Sequence, residues 1–120
     1  MPRKSIDHDL YRGTLDIIVL SLLKRRPDHG YGLAERLRGH SAGRMDVSEG
    51  AIYPLLHRME KRGLISSEWS YTVNHRRAKQ YTVTEAGASV LSERTAQWRS
   101  LAQLVDDLVD SIRPDLGTQA

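Results

Sequence analysis

Few residue groupings in this sequence have the types and spacing that chemistry needs. Gly39-His-Ser41-Ala-Gly43 fits G-x-S-x-G, the nucleophile elbow of hydrolases. That motif works only where the serine stands on a sharp strand-to-helix turn above an α/β sheet. Here a helical pattern precedes it, and 120 residues leave no room for a hydrolase core, so its Gly and Ser read as turn formers. Gly30-Tyr31-Gly32 lacks the third glycine and the preceding strand of a dinucleotide loop. The five His are scattered, no His-x-x-x-His pair shares a helix face, and Cys is absent. No metal, cofactor or catalytic residue is therefore expected. What remains are two groups of cations, Arg58 with Lys61 and His75-Arg76-Arg77 with Lys79, whose natural work is to neutralise phosphate.

The charge distribution gives those groups a context. Residues 1–83 carry 15 basic and 9 acidic side chains, whereas 84–120 carry 3 and 6. One end can meet a polyanion and the other cannot. The length indicates one domain, and a hydrophobic fraction of 39% with 28% charged residues fits neither a disordered tail nor a membrane protein. The longest apolar stretch, 17–23, contains Ser21 and falls far short of the ~20 residues of a spanning helix. No secretory signal follows the basic start, and the lack of Cys fits a reducing compartment, so a cytoplasmic location is expected. Phe is absent, so the core must be aliphatic. A lone domain of this size buries only ~60–70% of its unfolded surface, and a dimer would supply more.

The elements that must position the cations follow from periodicity. Residues 1–12 alternate charges of both signs and read as an N-terminal arm. From Thr14, Leu15, Ile18, Val19, Leu22 and Leu23 form one apolar helical face, with Ile17 and Leu20 beside it and Pro27 as the stop. A short helix over 31–38 turns Leu33, Ala34 and Leu37 inward, and 39–46 is a loop. Ser48 is the expected cap of a third helix that buries Ile52, Leu55, Leu56 and Met59, carries a kink at Pro54 and ends at Gly63. Runs at 65–70 and 79–83 around a polar tip predict a β-hairpin. Thr84 caps a last helix of about 27 residues that Pro114 ends, ~40 Å long and too long to hide against so small a domain.

Three helices with a tight middle followed by a hairpin is the order of a winged helix-turn-helix, whose third helix enters a major groove. The face of that helix opposite its core stripe carries Gly50, Tyr53, Pro54, His57 and Lys61. Gly50 and Ala51 allow close approach of backbone to a duplex, and with Ser48 and Glu49 they form the helix start nearest the bases. Tyr53 and His57 can touch phosphate or base edges, and Arg58 and Lys61 can neutralise phosphates. Tyr31 and the tip residue Asn74 join this expected DNA-facing set, together with His75, Arg76, Arg77 and Lys79. Such a charge run can also be a solvated face, or a surface that docks an acidic protein partner. A basic helix and a basic wing in one short chain favour nucleic acid.

Asp28-His-Gly-Tyr-Gly32, the run 48–65, Asn74-His-Arg-Arg-Ala-Lys-Gln-Tyr81 and Thr82-Val-Thr-Glu-Ala-Gly87 resemble, in order and spacing, the signature blocks of PadR-type transcriptional regulators. The resemblance covers about residues 12–112. It implies a mainly α winged helix with a small β-hairpin that binds operator DNA as a dimer, usually as a repressor. The single C-terminal helix is similar to that of the family's shorter subgroup. The tip Val73-Asn74-His75 departs from the family pattern in having fewer Asn and Gly.

In the last helix Leu91, Thr95, Trp98, Ala102, Val105, Val109 and Ile112 follow a 4-3 alternation, flanked by Leu101 and Leu108, which reads as a homodimer seam. The resemblance implies that Trp98 lines a pore at the dimer interface and stacks on flat hydrophobic ligands; the plain alternative is a core Trp. The expected organisation is thus an arm (1–12), a winged helix-turn-helix (13–83), a dimerisation helix (84–113) and a flexible tail (114–120). The expected partners are double-stranded DNA bearing a near-palindromic operator, a second copy and a hydrophobic effector, with no membrane.

Overall fold

The computed structural model describes residues 5–112. Pro114 and the tail expected at 114–120 lie outside the described residues, as do residues 1–4 of the arm. The rest of that arm packs against the domain. α1 (His8–Tyr11) and a 3-10 turn (Arg12–Thr14) lead directly into α2, Tyr11 is buried, and the Ile6 N–H donates to the Arg44 carbonyl at 2.9 Å. The charges that read as an arm help build this turn, since the Asp7 carboxylate accepts from the Asp9 N–H at 2.9 Å and Asp9 pairs with Arg12, while Tyr11 and Ile6 anchor it to the core.

α2 (Leu15–Arg25) buries Leu15, Val19, Leu20, Leu22 and Leu23. Ile17 and Ile18 are half-buried against the core, so Leu20 takes the central place expected of Ile18. The helix stops where Arg26 turns extended, the conformation forced on a residue that precedes proline. α3 (Gly30–His40) buries Leu33, Ala34 and Leu37 and runs two residues beyond its expected end before Ala42 and Gly43 reverse the chain at positive φ. Arg36 locks this corner. Its half-buried guanidinium donates to the Leu22 carbonyl at 2.7 Å, which also accepts from the Arg26 N–H, and to Asp28 Oδ2 at 3.1 Å, tying the end of α2 to α3.

α4 (Glu49–Lys61) buries Ile52, Leu55, Leu56 and Met59 and runs unbroken through Pro54. Ser48 occupies the cap position, but its hydroxyl makes no capping bond. At the other end Leu64 N–H reaches the Met59 carbonyl and Gly63 N–H the Glu60 carbonyl, a Schellman closure with Gly63 at φ 78°.

β1 (Ile65–Tyr71) and β2 (Arg77–Val83) pair antiparallel from Ile65–Val83 to Tyr71–Arg77. Asp28 adds a one-residue third strand through paired backbone bonds with Tyr81. α5 (Glu85–Ser111) starts at Thr84, whose hydroxyl accepts from Gly87 N–H at 3.0 Å and donates to the Gly63 carbonyl at 2.7 Å. Gly87 presses against the Leu64 carbonyl so closely that no Cβ fits between them. Leu91 reaches the core, and Arg94 pairs with Asp16 of α2. Beyond that pair α5 leaves the domain. The extents of 65 × 36 × 21 Å and a radius of gyration of 17.7 Å exceed the ~14 Å of a compact chain this long because of that projecting helix.

Candidate nucleic-acid interface

α4 turns Glu49, Gly50, Tyr53, Pro54, His57 and Lys61 to solvent, as the spacing predicts. Two neighbours behave differently. Ala51 is half-buried against the core, and Arg58 stands on the flank nearer α2, lining a recess of about 220 Å³ with Arg12, Asp16 and Arg62. The Tyr53 ring rests on Gly30, where an added Cβ would sit 2.6 Å from it. Gly30 therefore leaves the space in which the Tyr53 ring lies against α3. Burial, with Glu49 adding to it, pushes the Tyr53 phenol pKa up, so the group stays a neutral hydrogen-bond donor. Tyr31 is exposed on the first turn of α3 and donates to Glu35 at 3.1 Å.

The wing tip is a three-residue loop with His75 in the left-handed region at φ 61°, the place where glycine is usual. Thr72 holds it: its N–H donates to the Arg76 carbonyl at 2.8 Å, its carbonyl accepts from His75 N–H at 2.9 Å, and its hydroxyl accepts from Arg76 N–H at 3.2 Å. Asn74, His75, Arg76 and Arg77 are exposed, and Lys79 is half-buried beside Trp69. Among the described residues none of Arg58, Lys61, Arg76, Arg77 and Lys79 has a carboxylate partner, whereas Arg12, Arg26, Arg36, Arg38 and Arg94 do. Lys24, Arg25, Arg44, Arg62 and Arg99 lack one too, so what marks the set is its grouping on α4 and the wing, where like charges held together make a surface ready for polyanions.

Trp69 belongs to this surface although its sequence neighbourhood does not single it out. Its indole stacks under Arg77 at 4.4 Å and Lys79 at 5.7 Å. A signal does exist in the sequence: an antiparallel register with period 2 sets residue 69 opposite 79. Ser41, in contrast, is fully engaged in the turn after α3, its hydroxyl accepting from Met45 N–H and within reach of the Arg38 and Met45 carbonyls. No cluster of potential metal ligands occurs among the described residues, and none of their helices is long and apolar enough to cross a membrane.

The seam expected on α5 divides. Leu91 belongs to the domain's own core, and Thr95 and Ala102 are half-buried. Trp98, Leu101, Val105, Leu108, Val109 and Ile112 are exposed in the single chain, joined by Leu104 from outside the expected seam.

The family match settles the architecture's kinship: the transcriptional regulator PadR-like family matches residues 19–93, from the middle of α2 into α5. The chain belongs to this family. As a PadR-like protein it is a winged helix-turn-helix transcriptional regulator. It is 38% identical over 77 residues to transcriptional regulator Rv3488 of Mycobacterium tuberculosis, covering 64% of this chain and 68% of that protein. It is 32% identical over 87 residues to transcriptional regulator YqjI of Escherichia coli; this covers 71% of the chain but only 39% of YqjI. Among solved structures, a PadR family transcriptional regulator from Eggerthella lenta superposes with a TM-score of 0.75 at 39% identity, covering 84% of this chain and 86% of that one. A transcriptional regulator from Clostridium thermocellum gives 0.78 at 26% identity, over 87% and 98% of the two chains. The PadR-like match ends at residue 93, so the exposed apolar stretch of α5 lies beyond it.

Proposed function

We propose that this PadR-like regulator is a homodimeric, cytoplasmic repressor that binds a near-palindromic operator without catalysis and is released by a planar hydrophobic molecule. α4 enters the major groove with Tyr53, His57 and the 48–51 start nearest the bases, and Tyr31 and Asn74 contact the flanking backbone. Lys61, Arg76, Arg77 and Lys79 neutralise phosphates, with Arg58 reaching backbone from its flank.

The observation that carries this reading is the set of unpaired cations on α4 and the wing, two elements joined by a three-residue turn and by the Ser67–Glu60 hydrogen bond of 2.5 Å. The exposed apolar face on the distal half of α5 supports the dimer, since Leu101, Leu104, Val105, Leu108 and Val109 stand in water in the single chain. Trp98 lies at the inner end of that surface, where an effector would enter.

Selection of bound duplexes from a random DNA pool, followed by titration at several salt concentrations, tests the reading. A recovered two-fold sequence motif and a steep fall of affinity with salt are expected. Salt-insensitive binding, or no enrichment, would instead fit a module that docks an acidic protein.

A further inference from the structure

We infer that Trp69 is a positioning residue of the DNA interface: its indole face holds the Arg77 guanidinium, with the Lys79 ammonium beside it, in the posture that meets the sugar-phosphate backbone. The inference rests on the DNA-binding reading above.

The register places these three residues on one face of the wing. Trp69 pairs directly with Lys79, and Arg77 pairs with Tyr71 one step further out on the same side, making it the diagonal neighbour of Trp69. The contacts follow, at 4.4 Å for the guanidinium carbon and 5.7 Å for the ammonium, both within the ~6 Å range of cation–π attraction. Burial does not explain the tryptophan, which is 56% exposed on a protruding ribbon. Nor do carboxylates restrain the cations, because no ion pair among the described residues involves Arg77 or Lys79. The negative face of the indole is what opposes their mutual repulsion.

The same face points toward α4. Ser67, two residues before Trp69 and therefore on its side of the strand, donates to Glu60 of α4. Tyr81, paired with Ser67, has its phenol pKa pushed up by burial and then by the charge of Glu60. The platform thus continues outward from where the wing meets the recognition helix. A guanidinium held over a ring by cation–π attraction uses up none of its N–H donors on a carboxylate, and a side chain so held has less rotamer freedom left to lose on engaging a phosphate.

The test compares Trp69→Leu, Trp69→Phe and Arg77→Ala with wild type on the selected duplex and on random duplex, after circular dichroism confirms folding. Trp69→Leu is expected to weaken binding about three- to tenfold on both duplexes. It should also flatten the log K against log salt slope by up to ~0.9 for each phosphate no longer neutralised. Trp69→Phe should recover most of the affinity. In the Arg77→Ala background, the loss caused by Trp69→Leu should shrink to the smaller part that runs through Lys79, whose ammonium lies further from the ring. If Trp69→Leu fails to fold, fluorinated tryptophan gives the same test: it drains charge from the ring face while keeping its shape. Affinity should then fall with each added fluorine, while fluorination of the Trp69→Phe protein, which leaves only Trp98, has no effect. Wild-type affinity and slope in Trp69→Leu, or equal losses with and without Arg77, would overturn the inference while leaving DNA binding intact. Absence of DNA binding by wild type would remove the functional reading itself.

Discussion

His75 holds a backbone conformation that its side chain does not favour. At φ 61° it occupies the left-handed position of the wing loop, which costs an L-residue roughly 1–2 kcal/mol relative to glycine. His75→Gly should therefore raise stability by about 1 kcal/mol, several degrees in Tm for a domain this size, measured at fixed protein concentration. An unchanged or lower Tm would mean that the added freedom of glycine in the unfolded chain offsets the strain relieved. Two glycines separate stability from function in the opposite direction. Gly87→Ala forces a Cβ into the rigid Leu64 carbonyl and should cost about 1–3 kcal/mol or more in denaturant unfolding. Gly30→Ala meets only the outer atoms of the Tyr53 ring, which can swing toward solvent. That variant should unfold near the wild-type midpoint yet bind DNA more weakly, because Tyr53 leaves its place on α4. Equal affinity for the two proteins would show that the Tyr53 pose does not matter to DNA.

Elements are legible in the sequence wherever one apolar face or one cap decides them. The buried stripe Ile52, Leu55, Leu56, Met59 on α4 and the Thr84 cap of α5 follow directly from spacing and residue type. Legibility fails where a contact across the chain overrides local pattern. α1 exists because Tyr11 finds the core, Ser48 caps by position without using its hydroxyl, and Leu91 fits the seam's spacing but is taken by the domain. Likewise the outward face of α4 can be read from the sequence because it is the complement of the core stripe. The wing cannot be read so fully, since Trp69 gains meaning only from its partners on the other strand. The wing also sets the element-scale prediction. Arg76→Ala with Arg77→Ala should weaken specific and random duplexes alike, since phosphate contacts position the protein without reading sequence. Each phosphate released from the wing should flatten the salt slope by ~0.9, so a slope equal to wild type would leave the wing a solvated ribbon.

At the scale of the whole molecule, α5 projects beyond the ion pair of Arg94 with Asp16 carrying an apolar face that nothing in the single chain covers. Val105 and Val109 are 48% and 52% exposed there, so charging them cannot disturb the domain's own core. Val105→Glu with Val109→Glu should give folded monomers by sedimentation at micromolar concentration, where the wild type is expected to dimerise, because pairing would bury two uncompensated charges. A wild-type mass of one chain would end the dimer reading. Trp98 is 46% exposed on the same surface and likewise outside the core, which makes its role separable from folding. A flat apolar molecule seated against it would alter the angle between the paired helices, on which both recognition helices ride. Two half-sites about one turn apart, ~34 Å, tolerate little change in that separation. The ligand can shift operator affinity only by its own preference between the two arrangements, and a tenfold release needs ~1.4 kcal/mol. Stacking on one indole in each subunit, at about 0.5–1.5 kcal/mol apiece, reaches that figure where the stack forms in the released arrangement alone. Trp98→Ala should then keep the dimer and its DNA binding while losing both ligand binding and release. If planar hydrophobic compounds leave the Trp98 fluorescence unquenched, or release the alanine variant as readily, the indole serves only to seal the interface and operator occupancy follows protein concentration alone.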